Sequence, residues 1–173
     1  MTYLNYADIK TNDSVNGIGI SVSLFVQGCD RFCKNCFNKE TWGFEDGKPF
    51  GGRELQYIKR SLHANGIKRN FSLLGGEPLH PKNIKEVINV INNIKAFDSS
   101  TKIFVWTGYT FEELLDLYGS KIFYNIDILI DGEFDVDKKD LTLKLRGSSN
   151  QRIIDVQKSL KENKIILLNL SLI

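Results

Sequence analysis

All three cysteines of the chain lie in one stretch of eight residues, with the spacing C-x3-C-x2-C. They are Cys29, Cys33 and Cys36. Three thiolates on one short loop can hold three irons of a cubane [4Fe-4S] cluster and leave the fourth iron open. A structural metal site usually closes its coordination shell, so an open position indicates chemistry at the metal. The spacing therefore predicts a tight cluster loop at 28–38.

Other interpretations of the cysteines stay open at this point. A structural zinc site needs four ligands, usually in spaced pairs, and His63 and His80 are the histidines that could supply the fourth. A redox-active C-x2-C pair would use Cys33 and Cys36 but leaves Cys29 unexplained. A disulfide framework fits less well, because the cysteine count is odd and we expect no signal peptide.

Length and charge restrict the class of protein. The chain has 173 residues, enough for a buried core, and we expect a single domain over 1–173. The net charge of +2 is too small to favour nucleic acid or an anionic membrane as a partner. No apolar run approaches the length of a transmembrane helix. We therefore expect a cytoplasmic protein whose cysteines stay reduced.

Strands and helices are predicted to alternate along the chain. Short apolar runs and period-two patterns predict six strands, at 20–26, 71–74, 103–106, 126–130, 141–145 and 164–168. Apolar residues at helical spacing predict four helices, at 55–62, 84–94, 111–118 and 156–161. Thr110 and Glu113 have the spacing of a capping box before the third helix. The alternation predicts an α/β fold with a mainly parallel sheet of about six strands. The chain is short for a closed eight-stranded barrel, so we expect an open or partial (β/α) barrel.

Glycine-rich or polar segments follow four of these strands. They are the cluster loop, Gly75-Gly76-Glu77-Pro78, Thr107-Gly108-Tyr109 and Asp131-Gly132-Glu133. The active site of a parallel α/β sheet lies at the carboxyl ends of its strands, so we expect the four segments to meet at one rim. A glycine pair after a strand is usually only a turn, and the prediction depends on the shared placement of all four.

The cluster loop after the first strand and the Gly75-Gly76-Glu77 motif after the second resemble the radical S-adenosylmethionine (SAM) superfamily. The resemblance implies the partial barrel of that superfamily. It also implies that Cys29, Cys33 and Cys36 bind the [4Fe-4S] cluster and are catalytic through it, while SAM chelates the open iron. The implied SAM-binding positions are Asn35, Cys36, Phe37, Gly75, Gly76 and Glu77. Glycines let a backbone approach a ligand closely, and a carboxylate accepts hydrogen bonds from an ammonium group.

Further segments resemble one family within the superfamily, the activating proteins of the anaerobic (class III) ribonucleoside-triphosphate reductase. The matching segments are 16–19, 36–42, 76–81, 106–109 and 146–152, and the match runs from about Tyr6 to about Leu168. Departures exist. Ile18 and Ser21 stand where relatives often have proline and arginine, Asn35 stands where an aromatic residue is common, and Glu77 replaces a frequent aspartate.

The family resemblance implies an oxidoreductase reaction. A flavodoxin- or ferredoxin-like donor reduces the cluster, and one electron passes to the sulfonium of SAM. The products are methionine and a 5′-deoxyadenosyl radical, which takes a hydrogen atom from a glycine of the reductase large subunit. The protein would supply orientation and exclude water.

Several assignments stay open on the sequence. Another small radical SAM enzyme acting on a metabolite is one alternative, and a non-catalytic metal-binding module with a closed zinc site is another. Asp131 and Arg146 could contact SAM or the incoming glycine loop, or form an ordinary ion pair. The 148–150 segment could face the partner, or cap the last helix.

Overall fold

A computed structural model describes residues 4–172, which contain one seven-stranded sheet. The strands are β1 (Asn5–Asp13), β2 (Ser21–Val26), β3 (Lys48–Pro49), β4 (Asn70–Gly75), β5 (Ile103–Trp106), β6 (Ile128–Asp131) and β7 (Arg152–Asp155). Their spatial order is β3-β1-β2-β4-β5-β6-β7. The middle strands β2, β4, β5 and β6 pair in parallel, and the pairings of β1, β3 and β7 are antiparallel. The fold is therefore mixed α/β with a parallel centre.

In the described residues, four α-helices connect or follow these strands: α1 (Gly52–Leu62), α2 (Ile84–Phe97), α3 (Phe111–Tyr118) and α4 (Val156–Glu162). The first three lie in the parallel crossovers, and their apolar stripes join one face of the sheet in the main core. In α2 this stripe includes Val87, Ile91 and Ile94, all buried at helical spacing. Within residues 4–172, none of the helices combines the length and apolar character needed to cross a bilayer.

A second, smaller core lies on the opposite face of the sheet. Its buried members are Phe104, Ile128, Ile130 and Ile153. Leu129, between Ile128 and Ile130, belongs to the main core instead, because successive side chains of a strand point to opposite faces. Burial on both faces explains the continuous apolar runs of β5 and of residues 128–130 in β6.

Most predicted central elements are confirmed, but three strands at the sides of the sheet were missed. β1 is largely polar and half exposed, so it lacks the apolar pattern of a core strand. β3 has two residues, and β7 offers only Ile153 and Ile154 as apolar positions. Strands this short or polar are defined by their neighbours in the sheet, which the local sequence does not reveal.

Two predicted strands are wrong. The 141–145 segment forms turns and bends, because Asp140 Oδ1 accepts hydrogen bonds from Thr142 N at 2.9 Å and Thr142 Oγ1 at 2.6 Å. Leu145 has a φ of 64°, which ends any extended backbone there. The 164–168 segment makes one isolated bridge to β7, between Leu167 and Ile154. Ser159 Oγ accepts a hydrogen bond from Ile166 N at 2.9 Å, so that backbone donor is not available to a strand ladder.

Candidate functional site

A cavity of about 500 Å³ opens at the carboxyl ends of β2, β4, β5 and β6. All four segments predicted to meet at one rim contribute to its wall, which confirms that prediction. The cluster loop contributes its three cysteines, and the other segments contribute residues 75–77, Thr107 with Gly108, and Gly132. The volume lies within the range of small-molecule and cofactor sites.

Of the eight residues that the sequence assigns to the cluster or to SAM, seven line this cavity. They are Cys29, Cys33, Cys36, Phe37, Gly75, Gly76 and Glu77. Asn35 is exposed and lies outside the lining. Its φ of 57° is in the left-handed region, which asparagine tolerates better than most residues, so its observed contribution is to the curvature of the loop.

Backbone hydrogen bonds fasten the cluster loop to the segment that follows it. Gly28 N donates to Thr41 O at 2.8 Å, and Cys29 N donates to Trp42 O at 3.0 Å. Within the loop, Cys36 N donates to Cys33 O at 3.1 Å. These bonds close the loop on itself, so that three cysteines close in sequence face the same cavity.

The thiols have the donor chemistry that an iron–sulfur cluster requires. Burial raises the pKa of the Cys29 thiol to about 11, and burial followed by the nearby Glu133 carboxylate raises the pKa of Cys33. Metal ligation needs thiolates, so cluster binding would displace these protons. Among residues 4–172, no three His, Cys, Asp or Glu side chains group around a point for a single metal ion. A cubane cluster does not need that grouping, because each cysteine binds a different iron.

The glycine pair after β4 makes a turn that has no room for side chains. Gly75 has a φ of 108°, and a Cβ there would lie 2.7 Å from Val26 O. A Cβ on Gly76 would lie 2.7 Å from Gly28 O. The turn therefore packs backbone to backbone against the start of the cluster loop, and only glycine permits that approach.

Glu77 is buried beside this turn, with 2% of its surface exposed. Its Oε1 accepts hydrogen bonds from Thr107 Oγ1 at 2.7 Å and Leu79 N at 3.0 Å, and its Oε2 accepts one from Gly108 N at 2.7 Å. Burial raises the pKa of Glu77, although these hydrogen bonds and the Arg31 charge oppose the increase. The carboxylate joins the glycine turn after β4 to the segment after β5, so its observed contacts are with protein groups.

Arg31 is a cavity residue that the sequence reasoning missed. It lies between Cys29 and Cys33, and its guanidinium stacks on the Tyr109 ring at 4.2 Å. Its Nη1 donates to Glu133 Oε2 at 3.0 Å, and its Nε lies 3.7 Å from Glu77 Oε2. Arg31 thus connects the cluster loop to the segments after β4, β5 and β6. The sequence did contain a signal for this residue, because a charged side chain lies between two candidate cluster ligands, Cys29 and Cys33.

Phe37 forms part of the cavity wall together with Phe134 and Gly147. Its ring packs on Phe134 with centroids 5.1 Å apart, and Lys139 Nζ lies 5.1 Å from its centroid. A Cβ on Gly147 would lie 2.9 Å from Phe37 Cε2, so the ring rests directly on that glycine. The Phe37 ring is half exposed and borders the cavity, which is a suitable position for stacking on a flat ligand.

The structure shows the contacts of Asp131 and Arg146, whose roles the sequence left open. Asp131 is fully buried and forms an ion pair with Arg152 Nη2 at 2.5 Å, while Phe111 N donates to it at 2.8 Å. Its role here is the structural ion pair. Arg146 does line the cavity, and its Nη1 donates to Gln151 O at 2.6 Å.

The 148–150 segment does not cap the last helix, because Asp155 caps α4 by accepting a hydrogen bond from Lys158 N at 3.1 Å. Both histidines contact carboxylates. His63 Nε2 lies 3.1 Å from Asp98 Oδ2, and His80 Nε2 lies 3.2 Å from Asp30 Oδ2 within the cluster loop.

The α/β fold places three cysteines around one cavity, an arrangement that an iron–sulfur protein requires, and comparison with known proteins agrees with that class. Residues 15–154 match the family model described as a 4Fe-4S single cluster domain. This match confirms the expected iron–sulfur cofactor at the level of the family.

Curated relatives give a more particular assignment. The chain is 41% identical over 152 residues to the anaerobic ribonucleoside-triphosphate reductase-activating protein of Pasteurella multocida, covering 87% of this chain and 96% of the relative. The proteins of that name from Escherichia coli K12 and Enterobacteria phage T4 are 40% and 38% identical, over 86% and 87% of this chain and 96% and 93% of the relatives. The chain belongs to this family of activating proteins, which confirms the family and the activating-enzyme class predicted from its motifs.

Proposed function

We propose that the protein is a radical SAM activase that generates a glycyl radical on the large subunit of the anaerobic ribonucleoside-triphosphate reductase. The observation that carries the proposal is the meeting of Cys29, Cys33 and Cys36 with Gly75, Gly76 and Glu77 around one cavity of about 500 Å³. When bound, the cluster would supply one electron that splits SAM into methionine and a 5′-deoxyadenosyl radical, which takes a hydrogen atom from the partner glycine.

The cavity residues then have distinct tasks. Cys29, Cys33 and Cys36 hold the cluster, and the side-chain-free turn at Gly75 and Gly76 lets backbone groups reach the amino group of SAM. Glu77 holds that turn in place through the hydrogen bonds that it accepts from Thr107 and Gly108. These tasks are positioning and exclusion of water, which suit a reaction whose chemistry comes from the cofactors.

The adenine of SAM is assigned to the wall formed by Phe37, with the exposed Asn35 beside it. The half-exposed Phe37 ring beside Phe134 supports this assignment, because an aromatic face can stack on a purine. Asn35 lies outside the cavity lining, so we assign it to an edge contact made by its backbone.

The sheet is proposed to be the partial (β/α) barrel of the radical SAM type. Its support is the run of four parallel strands, β2, β4, β5 and β6, whose carboxyl ends all border the cavity. The lumen of the barrel would be the sheet face with the second core, which Ile18, Leu145 and Leu168 cover.

The proposal also includes an electron donor and a cellular location. The donor is a flavodoxin- or ferredoxin-like protein, and an exposed Phe32 at the tip of the cluster loop offers an apolar contact beside the cluster. We assign the protein to the cytoplasm, where thiols stay reduced.

The test is an anaerobic assay of the reconstituted protein. The protein is loaded with iron and sulfide to about four irons per chain, and SAM and dithionite are added with the reductase. We expect 5′-deoxyadenosine and a glycyl radical signal on the reductase, both absent in Cys33→Ala because that variant loses the cluster. Iron-loaded protein that cleaves no SAM even with the reductase present would overturn the proposal.

A further inference from the structure

The most exposed large apolar side chains of the protein lie beside the candidate site. Among the residues whose burial the structure describes, 4–171, they are Leu141, with 76% of its surface exposed, and Val15, with 75%. Both line the cavity. A single exposed apolar side chain is normal in a folded protein. The occurrence of the two extreme cases at one cavity indicates that a binding partner covers them.

The two side chains belong to different segments of the cavity wall. Val15 lies in the loop between β1 and β2, and Leu141 lies in the segment that follows β6. In the sheet, β2, β4 and β5 separate β1 from β6, and these three strands also contribute residues to the lining. The exposed apolar surface therefore comes from two segments that are far apart in the order of the sheet.

Local hydrogen bonds fix the backbone of both segments. Asp13 Oδ1 accepts a hydrogen bond from Val15 N at 2.9 Å. Next to Leu141, Thr142 N donates to Asp140 Oδ1 at 2.9 Å. Neither Val15 nor Leu141 belongs to either of the two apolar cores. The fold thus holds the two side chains at the cavity without using them for its own packing.

A protein segment accounts for this exposure better than a small ligand does. Binding sites for small molecules and cofactors bury most of the ligand inside the pocket, whereas Val15 and Leu141 expose three-quarters of their surface to solvent. A protein segment over the opening would cover them, and the burial of apolar surface would stabilise the contact. The proposed function supplies such a protein, because the reductase must bring a backbone glycine to the cavity.

We propose that Val15 and Leu141 form a docking surface for the glycine-bearing segment of the reductase large subunit, whose apolar side chains pack on them. The inference rests on the proposed function. A glycine has no side chain, so its backbone can enter the cavity closely while the residues before and after it stay at the opening. Contacts between those flanking residues and the docking surface would hold the glycine in place without taking part in the chemistry.

The test compares Leu141→Ser and Val15→Ser with reconstituted wild-type protein. Surface plasmon resonance measures the dissociation constant for the reductase large subunit. Electron paramagnetic resonance measures the initial rate of glycyl radical formation against reductase concentration, with SAM and dithionite in excess. Each substitution should raise the dissociation constant and the half-saturating reductase concentration about tenfold, because it removes most of one apolar contact. The maximal rate, the iron content and the SAM affinity should equal those of wild type.

Leu167→Ser is the matched control. Leu167 is also exposed, at 59%, but it lies outside the cavity lining, so its replacement should change neither quantity. Leu141→Met keeps an apolar side chain of similar volume and should bind the reductase nearly as well as wild type. The substituted side chains are all largely exposed, so we expect each variant to fold as wild type does.

Unchanged reductase binding in Leu141→Ser and Val15→Ser would overturn the inference, and so would an equal loss in Leu167→Ser. A loss of activity seen only when a flavodoxin replaces dithionite would also overturn it, and would assign the surface to the electron donor. A wild-type dimer that dissociates in both variants, with reductase binding unchanged, would assign the surface to a second copy of the chain instead.

Failure of the proposed function would give a different result. Wild-type protein that binds the reductase through Val15 and Leu141 but cleaves no SAM would contradict the activase reaction and still support the docking surface.

Discussion

Glu77 links the segments that follow β4 and β5, although burying its negative charge is unfavourable. Its carboxylate is removed from water, which raises its pKa, yet three protein donors bond to its two oxygens. Buried charges persist only where such bonds replace hydration. The stabilisation that Glu77 gives to the glycine turn therefore depends on both oxygens being acceptors.

Glu77→Gln should destabilise the protein and weaken SAM binding while leaving the iron content near that of wild type. A glutamine has one acceptor oxygen, so its NH2 group would face at least one of the donors Gly108 N, Leu79 N and Thr107 Oγ1. Leaving a buried donor unpaired costs about 1–3 kcal/mol. Urea denaturation, iron analysis and equilibrium SAM binding measure the three quantities.

Glu162→Gln is the control for this substitution. Glu162 is exposed and forms a surface ion pair with Lys164 at 3.4 Å, so its replacement should change the free energy of unfolding by less than about 0.5 kcal/mol. If Glu77→Gln matched this control in stability and SAM affinity, the assignment of Glu77 to the cofactor wall would be wrong.

Site residues that occur in a recognisable local spacing could be predicted from the sequence. Contacts between residues that lie far apart in the chain could not. The cysteines and the glycine turn were found because each motif is local in sequence. Arg31 was not assigned to the site, because its contacts with Tyr109, Glu133 and Glu77 exist only in the folded chain. Asn35 was assigned to the adenine from its place in the motif, but it lies outside the cavity lining.

At the scale of elements, α3 begins directly after the segment that holds Glu77. Thr110 Oγ1 accepts a hydrogen bond from Glu113 N at 3.2 Å, and Glu113 Oε2 accepts one from Thr110 N at 2.7 Å. This is the capping box predicted from the sequence. The start of α3 therefore fixes where the Thr107–Tyr109 segment ends.

Thr110→Ala should lower the free energy of unfolding by about 1 kcal/mol, because Glu113 N loses its acceptor at the helix start. Thr110→Ser keeps a hydroxyl and should lose less than about half of that amount. Urea denaturation of both variants measures the difference. Equal stabilities for the alanine and serine variants would mean that the cap contributes nothing.

Elements defined by local signals were predicted well, and elements defined by their neighbours were not. The bounds of β5 and α3 were predicted correctly from an apolar run and a capping box. The alternating leucines at 141–145 suggested a strand, but the free edge of β6 is occupied by β7. Local hydrogen bonds to Asp140 fold that segment into turns next to the cavity instead.

At the scale of the whole molecule, the candidate site and the 164–172 segment lie at opposite ends of the sheet. The candidate site occupies the carboxyl ends of the parallel strands. The 164–172 segment returns to the other end, where Leu168 packs against the second core and its backbone N donates to Ile153 O at 2.8 Å. A smaller cavity of about 300 Å³ separates Leu168 from Asn70 and Lys102 at the amino ends of β4 and β5.

Leu168→Ala should therefore lower stability without affecting the site. Partial burial makes the expected loss about 1–2 kcal/mol, below the range for a fully buried leucine. Its neighbour Leu167 is 59% exposed, so Leu167→Ala should change stability by less than about 0.5 kcal/mol. Urea denaturation compares the two variants, and iron content and SAM affinity should match wild type in both. A loss of SAM affinity in Leu168→Ala alone would mean that the second core transmits strain along the strands to the cavity.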